Sequence, residues 1–92
     1  KSRAQFEIEK THEPISGTVD LRGLRYEEAQ SHLEIFIDRA YRQNLQEVIV
    51  IHGLGVLREL AKKLLAELPY VKSFTMESGS TRLTLENYFA DP

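Results

Sequence analysis

The 92-residue chain has no cysteine, so disulfides, thiolate metal sites and a cysteine nucleophile are excluded. The same lack favours an intracellular, cytoplasmic setting. No apolar run approaches the ~18 residues of a membrane-spanning helix, and no secretory leader is visible. An excess of basic charge is also missing: 12 Lys and Arg face 14 Asp and Glu, for a net charge of -2. Neutralising phosphates supplies most non-specific affinity for nucleic acid. Any such contact here must come from locally placed arginines or from a larger parent protein. Several catalytic signatures are absent too. There is no G-x-S-x-G elbow and no phosphate-loop lysine. Neither H-x-x-x-H nor H-x-H occurs, which argues against a dedicated zinc site. The aromatic strand pattern of an RNA-recognition motif is missing as well.

What is present suits one small folded domain. The chain opens at Lys1 rather than Met, so a piece of a longer protein is expected. Residues 1–17 read as a polar leader or linker ending in Pro14, Ser16 and Gly17. Within it Phe6 and Ile8 alternate with Glu7 and Glu9, which makes them candidate anchors for a docking partner. Residues 18–88 read as the domain and 89–92 as a tail.

Thr18–Leu21 has the character of a strand, broken by Arg22-Gly23. From Tyr26 to about Asn44, Ala29, Leu33, Phe36, Ile37 and Ala40 recur at helical spacing. Glu27 and Glu28 suit the first turn of that helix, and Asn44 suits a left-handed stop. Glu47–His52 is a second strand. Its apolar run from Val48 to Ile51 lacks alternation, as in a strand covered on both faces or central in a sheet. Val56–Leu68 carries a second apolar stripe and ends before Pro69. Val71–Met76 is a third strand, with Phe74 and Met76 read as core. The alternating Thr81–Asn87 is its hairpin partner across Ser78-Gly79-Ser80. The order β-α-β-α-β-β predicts two right-handed crossovers in the same direction. The fold class is therefore α/β: a two-layer sandwich with a mixed four-stranded sheet and both helices on one face.

Ligands of open α/β sheets bind at the carboxyl ends of the parallel strands. The first strand delivers Asp20, Arg22 and Gly23 to that edge, and the second delivers His52, Gly53 and Gly55. Beside them the second helix begins, and a helix start favours anions. Arg58 lies in its first turn. A carboxylate, an imidazole and a guanidinium are thus expected on one rim with a glycine loop. Each has a plainer alternative. Asp20 could cap a turn, His52 could be a buried hydrogen-bonded histidine, the glycines could serve only the turn, and Arg22 and Arg58 could be surface charges. His12, His32 and the Lys62-Lys63 pair carry no comparable signal.

"VDLRGLRYEEA", from Val19 to Ala29, resembles the D-L-R-G-x-x-x-x-E-A opening of Smr (small MutS-related) domains. "VIVIHGLGVLREL", from Val48 to Leu60, resembles the family's second motif, a strand ending in H-G-x-G before a helix. "PYVKSF", from Pro69 to Phe74, resembles the strand after the second helix. The resemblance covers about residues 18–87. It implies a β-α-β-α-β-β fold similar to the C-terminal domain of the third bacterial translation initiation factor. It also implies a nicking endonuclease domain, most like the C-terminal domain of the bacterial MutS paralogue class linked to suppressing recombination. Asp20, Arg22, His52, Gly53 and Gly55 match the motif positions. The family usually reads H-G-x-G-T-G-x-L-R, whereas His52 is followed here by G-L-G-V-L-R. Two loop residues, including a Thr-Gly, are missing.

The expected chemistry is phosphodiester cleavage. Asp20 would position or deprotonate a water, alone or through a divalent metal such as Mg or Mn. His52 would hold the phosphate or protonate the leaving oxygen. Arg22, Gly23, the Gly53–Gly55 backbone and Arg58 would hold the phosphate. The expected partners are nucleic acid, DNA ahead of RNA, and a MutS-like ATPase in the same chain, with the domain itself monomeric. The alternatives are a non-catalytic DNA- or RNA-binding module, an RNA- or ribosome-associated nuclease domain, and a docking domain using the leader.

Overall fold

The computed structural model describes residues 17–89. Phe6, Ile8 and the rest of the expected leader lie outside the described residues. The elements are β1 (Thr18–Asp20), α1 (Tyr26–Arg42), β2 (Glu47–Ile51), α2 (Val56–Glu67), β3 (Val71–Met76) and β4 (Ser80–Leu85). No described helix is long and apolar enough to cross a membrane.

Helix α1 buries Ala29, Leu33, Ile37 and Ala40, one stripe at helical spacing. At its start the Glu28 carboxylate accepts the Arg25 N–H at 3.0 Å, satisfying one donor of the helix entry. Past its end Asn44 adopts a φ of 59°, the left-handed conformation asparagine tolerates. Helix α2 buries Leu57, Leu60, Ala61, Leu64 and Leu65 and stops ahead of Pro69.

The sheet runs β1-β2-β4-β3, with β1 parallel to β2 and β4 antiparallel to both its neighbours. Because β4 slots between β2 and β3, those two strands point the same way. Both helical crossovers step in one direction along the sheet, so both helices cover one face and share one core. Val48, Val50, Leu83 and Leu85 point into that core. Ile49 and Ile51 remain half-buried on the other face. The unbroken apolar run of β2 therefore reflects a central strand rather than one sealed on both sides.

At the end of the sheet where β3 begins, Tyr41 stacks on Tyr70 with ring centroids 4.5 Å apart. Tyr88 meets Tyr41 edge-on at 5.1 Å. The carboxyl ends of β1 and β2 lie at the opposite end.

Candidate functional site

Strand β1 ends at Asp20, and the chain turns at once. The Leu21 N–H donates to the Ile51 carbonyl at 2.7 Å, extending the parallel ladder, and the Leu21 side chain is fully buried. Gly23, at φ 88°, closes the turn with the Leu24 N–H on the Leu21 carbonyl at 3.2 Å. Arg22 folds back over Asp20. Its backbone N–H and its Nε both donate to Oδ1 at 3.0 Å, and Nη2 donates to Oδ2 at 2.8 Å. Both side chains are open to water, at 62% and 46% exposure for Arg22 and Asp20. The Arg22 side-chain hydrogen bonds, then its backbone N–H, lower the Asp20 pKa to about 2. The Arg22 guanidinium is pushed up in turn, chiefly by its hydrogen bonds to Asp20. Asp20 is thus an anion throughout the neutral range and a weak proton acceptor.

His52 lies elsewhere. Its side chain is 3% exposed, and both ring nitrogens are engaged. Nδ1 lies 2.7 Å from the Gly53 carbonyl, which can only accept, so the proton sits on Nδ1. Nε2 is then left to accept from the Thr81 hydroxyl at 2.8 Å. That hydroxyl also lies 3.0 Å from Met76 Sδ. The expectation that the imidazole stands on the rim beside Asp20 is not met, and β-register gives the reason. Asp20 pairs with Ile51, and side chains alternate along a strand. Thr18, Asp20, Ile49 and Ile51 therefore face the open side, while Val48, Val50 and His52 continue inward. One residue of offset puts the acid and the imidazole on opposite faces of the sheet.

The glycine loop joins the two levels. Gly53 has a φ of 78°, and a Cβ built there would lie 3.7 Å from Arg22 Cγ, so the loop packs against the arginine that grips Asp20. The Gly79 carbonyl accepts the N–H groups of both His52 and Gly53, at 3.1 and 2.9 Å. The β3–β4 turn thereby clamps the loop from the far side. Gly55 is the N-cap of α2, where no side chain caps the helix and a Cβ would meet nothing within 4 Å. The backbone at the helix start is accordingly open to a ligand. Arg58, in the first helical turn, is 30% exposed and only 4.0 Å from Glu59, a loose pairing that leaves its charge available.

The rim therefore collects Asp20, Arg22, Gly23, Gly53 and Gly55 and seats His52 beneath them, while Arg58 is placed only by its position in the first turn of α2. Thr81 and Gly79 are the positions that sequence reasoning missed. A fully buried threonine in an alternating strand carries no signal until its partner is known. The donor set does not fit a divalent metal. Asp20 gives one carboxylate with both oxygens held by Arg22, and no group of three or more His, Cys, Asp or Glu among the described residues could hold an ion. What the rim offers is an exposed guanidinium, a fixed carboxylate and an uncapped helix start, an arrangement suited to a phosphate.

A family model described as the Smr domain matches residues 19–82. The endonuclease MutS2 of Streptococcus equi subsp. equi (strain 4047) is 43% identical over 74 residues, covering 75% of this chain and 10% of that protein. The endonuclease MutS2 of Streptococcus pneumoniae (strain Taiwan19F-14) is 52% identical over 58 residues, 61% of this chain and 8% of that protein. The chain thus spans about a tenth of the length of these relatives. Among solved structures, the Smr domain of Thermus thermophilus MutS2 superposes with a TM-score of 0.70 at 28% identity, covering 75% of this chain and 96% of that one. YdaL, a stand-alone small MutS-related protein from Escherichia coli, shares the fold with a TM-score of 0.74 at 22% identity, covering 85% and 71%.

Proposed function

Because the chain belongs to the Smr domain family, whose model spans residues 19–82, we propose that it is a nucleic-acid-nicking domain working within a larger MutS2-like protein. Its rim holds a backbone phosphate, DNA ahead of RNA. The observation that carries this reading is the bidentate Arg22–Asp20 pair packed against the loop that opens α2. Arg22 and the N–H groups at the start of α2 bind the phosphate and offset charge that develops on it during attack. Arg58 adds a second cation. Asp20 orients an attacking water through the lone pairs that Arg22 leaves free. With a pKa of about 2 it positions the water more effectively than it deprotonates it. His52 acts as a positioning residue, fixing the Gly53 carbonyl and tying the loop to Thr81. The names of the relatives, endonuclease MutS2, point the same way.

A second reading, binding without cleavage, draws on the seating of His52. With the imidazole under the sheet, no histidine among the described residues stands on the rim to protonate a leaving oxygen. Nicking of supercoiled plasmid and of single-stranded RNA, with and without chelator, separates the two. Asp20→Asn is expected to lower the nicking rate by about a hundredfold or more while keeping binding, and Arg22→Ala to weaken both. If Asp20→Asn nicks as fast as the native chain, Asp20 has no catalytic role. Binding without any nicking by the native chain establishes the second reading.

A further inference from the structure

Two apolar side chains stand among the rim's charges, and folding does not account for them. Leu54 is 74% exposed and Val56 63%. Leu54 is held out between Gly53, at φ 78°, and Gly55, where a Cβ would meet only open space. Val56 follows as the first residue of α2. Neither belongs to the core or packs against it. Isolated exposed apolar residues are ordinary on a protein surface. These two are near neighbours in the chain, one on the loop and one opening α2, and the loop runs beside Arg22, which is 62% exposed. A ligand that reaches along the loop from Arg22 to the start of α2 passes these two exposed side chains, an apolar ridge, on the way.

A nucleotide presents the matching pair of surfaces, an anionic phosphate and a flat base. In an intact duplex each base face is covered by its neighbours, so the ridge would meet only sugar and phosphate. Where stacking is broken, the face is free to cover an aliphatic side chain, as in proteins that press Leu, Ile or Met against base steps. We propose that Leu54, flanked by Val56, packs on the face of an unstacked base, so that the rim grips single-stranded or locally unpaired nucleic acid in preference to an intact duplex. This deepens the reading above and rests on it, since the phosphate must first be held by Arg22 and the start of α2.

The test uses the 92-residue chain and three probes of one sequence: single-stranded DNA, single-stranded RNA and duplex DNA, titrated by fluorescence anisotropy at low salt. Single strands are expected to bind about tenfold tighter than duplex, and the two single-stranded arms show which sugar is preferred. Leu54→Ser combined with Val56→Ser brings the ratio towards one. Leu54→Trp preserves it, and its indole fluorescence is quenched by the single strands and not by the duplex. Equal affinity of the native chain for all probes overturns the ridge proposal, as does a native ratio in the serine variant. So does a ridge that serves self-association, seen as a dimer lost in the serine variant with the ratio unchanged. In those cases weaker binding in Arg22→Ala to every probe keeps the phosphate-holding rim in place. Failure of the native chain to bind any probe overturns the rim and the ridge together.

Discussion

A Cβ at residue 53 would sit 3.7 Å from Arg22 Cγ, an ordinary contact, so space does not forbid alanine there. The φ of 78° does, because an L-residue held in the left-handed region is strained. Gly53→Ala is expected to destabilise the domain by about 1–2 kcal/mol in urea unfolding, and to weaken nucleic-acid binding further as the loop shifts off Arg22. Asp20 makes a prediction of a different kind. Its folded pKa, about 2, lies below the ordinary 3.8, so the pair's contribution is complete above that ordinary value. It is lost as pH falls from about 3.8 towards 2 and is flat through neutrality. NMR titration of the Asp20 carboxyl should give a midpoint near 2, moving up towards 3.8 in Arg22→Ala. A midpoint already at the ordinary value in the native chain would mean the pair does not persist in solution. A nicking rate that rises through neutral pH would owe that rise to a group other than Asp20.

Among the elements, periodicity made most boundaries legible. The stripe Ala29, Leu33, Ile37, Ala40 reads as a helix in any context, and Gly, Asn and Pro punctuate the chain at Gly23, Asn44 and Pro69. Strand order was harder to read. Nothing local in Ser80–Leu85 says that it inserts between β2 and β3, since that pairing is set by long-range packing of Leu83 and Leu85. The inward turn of His52, by contrast, was available. Val48 and Val50 face the helices, and a period of two carries His52 to the same side. The glycine motif places His52 at the carboxyl edge of the strand without fixing its face, which the alternation alone determines. The resulting His52–Thr81–Met76 contact ties three strand ends together and is testable as such. Thr81→Val keeps the shape but removes the donor to Nε2 inside the core, and is expected to cost about 1–3 kcal/mol. It should also speed amide exchange at His52 and Gly53, whose N–H groups bond the neighbouring Gly79 turn. Thr81→Ser should retain both properties. If Val is as stable and as protected as Thr, the buried hydroxyl is incidental.

On the scale of the whole molecule, the charge balance and the site pull in opposite directions. A chain of net charge -2 repels a polyanion at long range, yet the rim sets Arg22 beside a helix start at one end. Contacts should therefore be few and local, and salt dependence counts them. Each phosphate neutralised on duplex DNA contributes about 0.9 to the slope of log affinity against log salt. With Arg22 and Arg58 as the rim cations, the slope for this chain is expected to be about -2, and Arg22→Ala should reduce its magnitude by about 1. Measurement by anisotropy across a salt series decides the point. A slope several units steeper would require a broad basic surface, which this composition does not supply. A slope unchanged in Arg22→Ala would move the contact off the rim. The shallow slope also implies a division of labour. A domain that touches about two phosphates binds weakly alone, and under the proposed reading the remaining chain of a MutS2-like parent is expected to supply most of the nucleic-acid affinity.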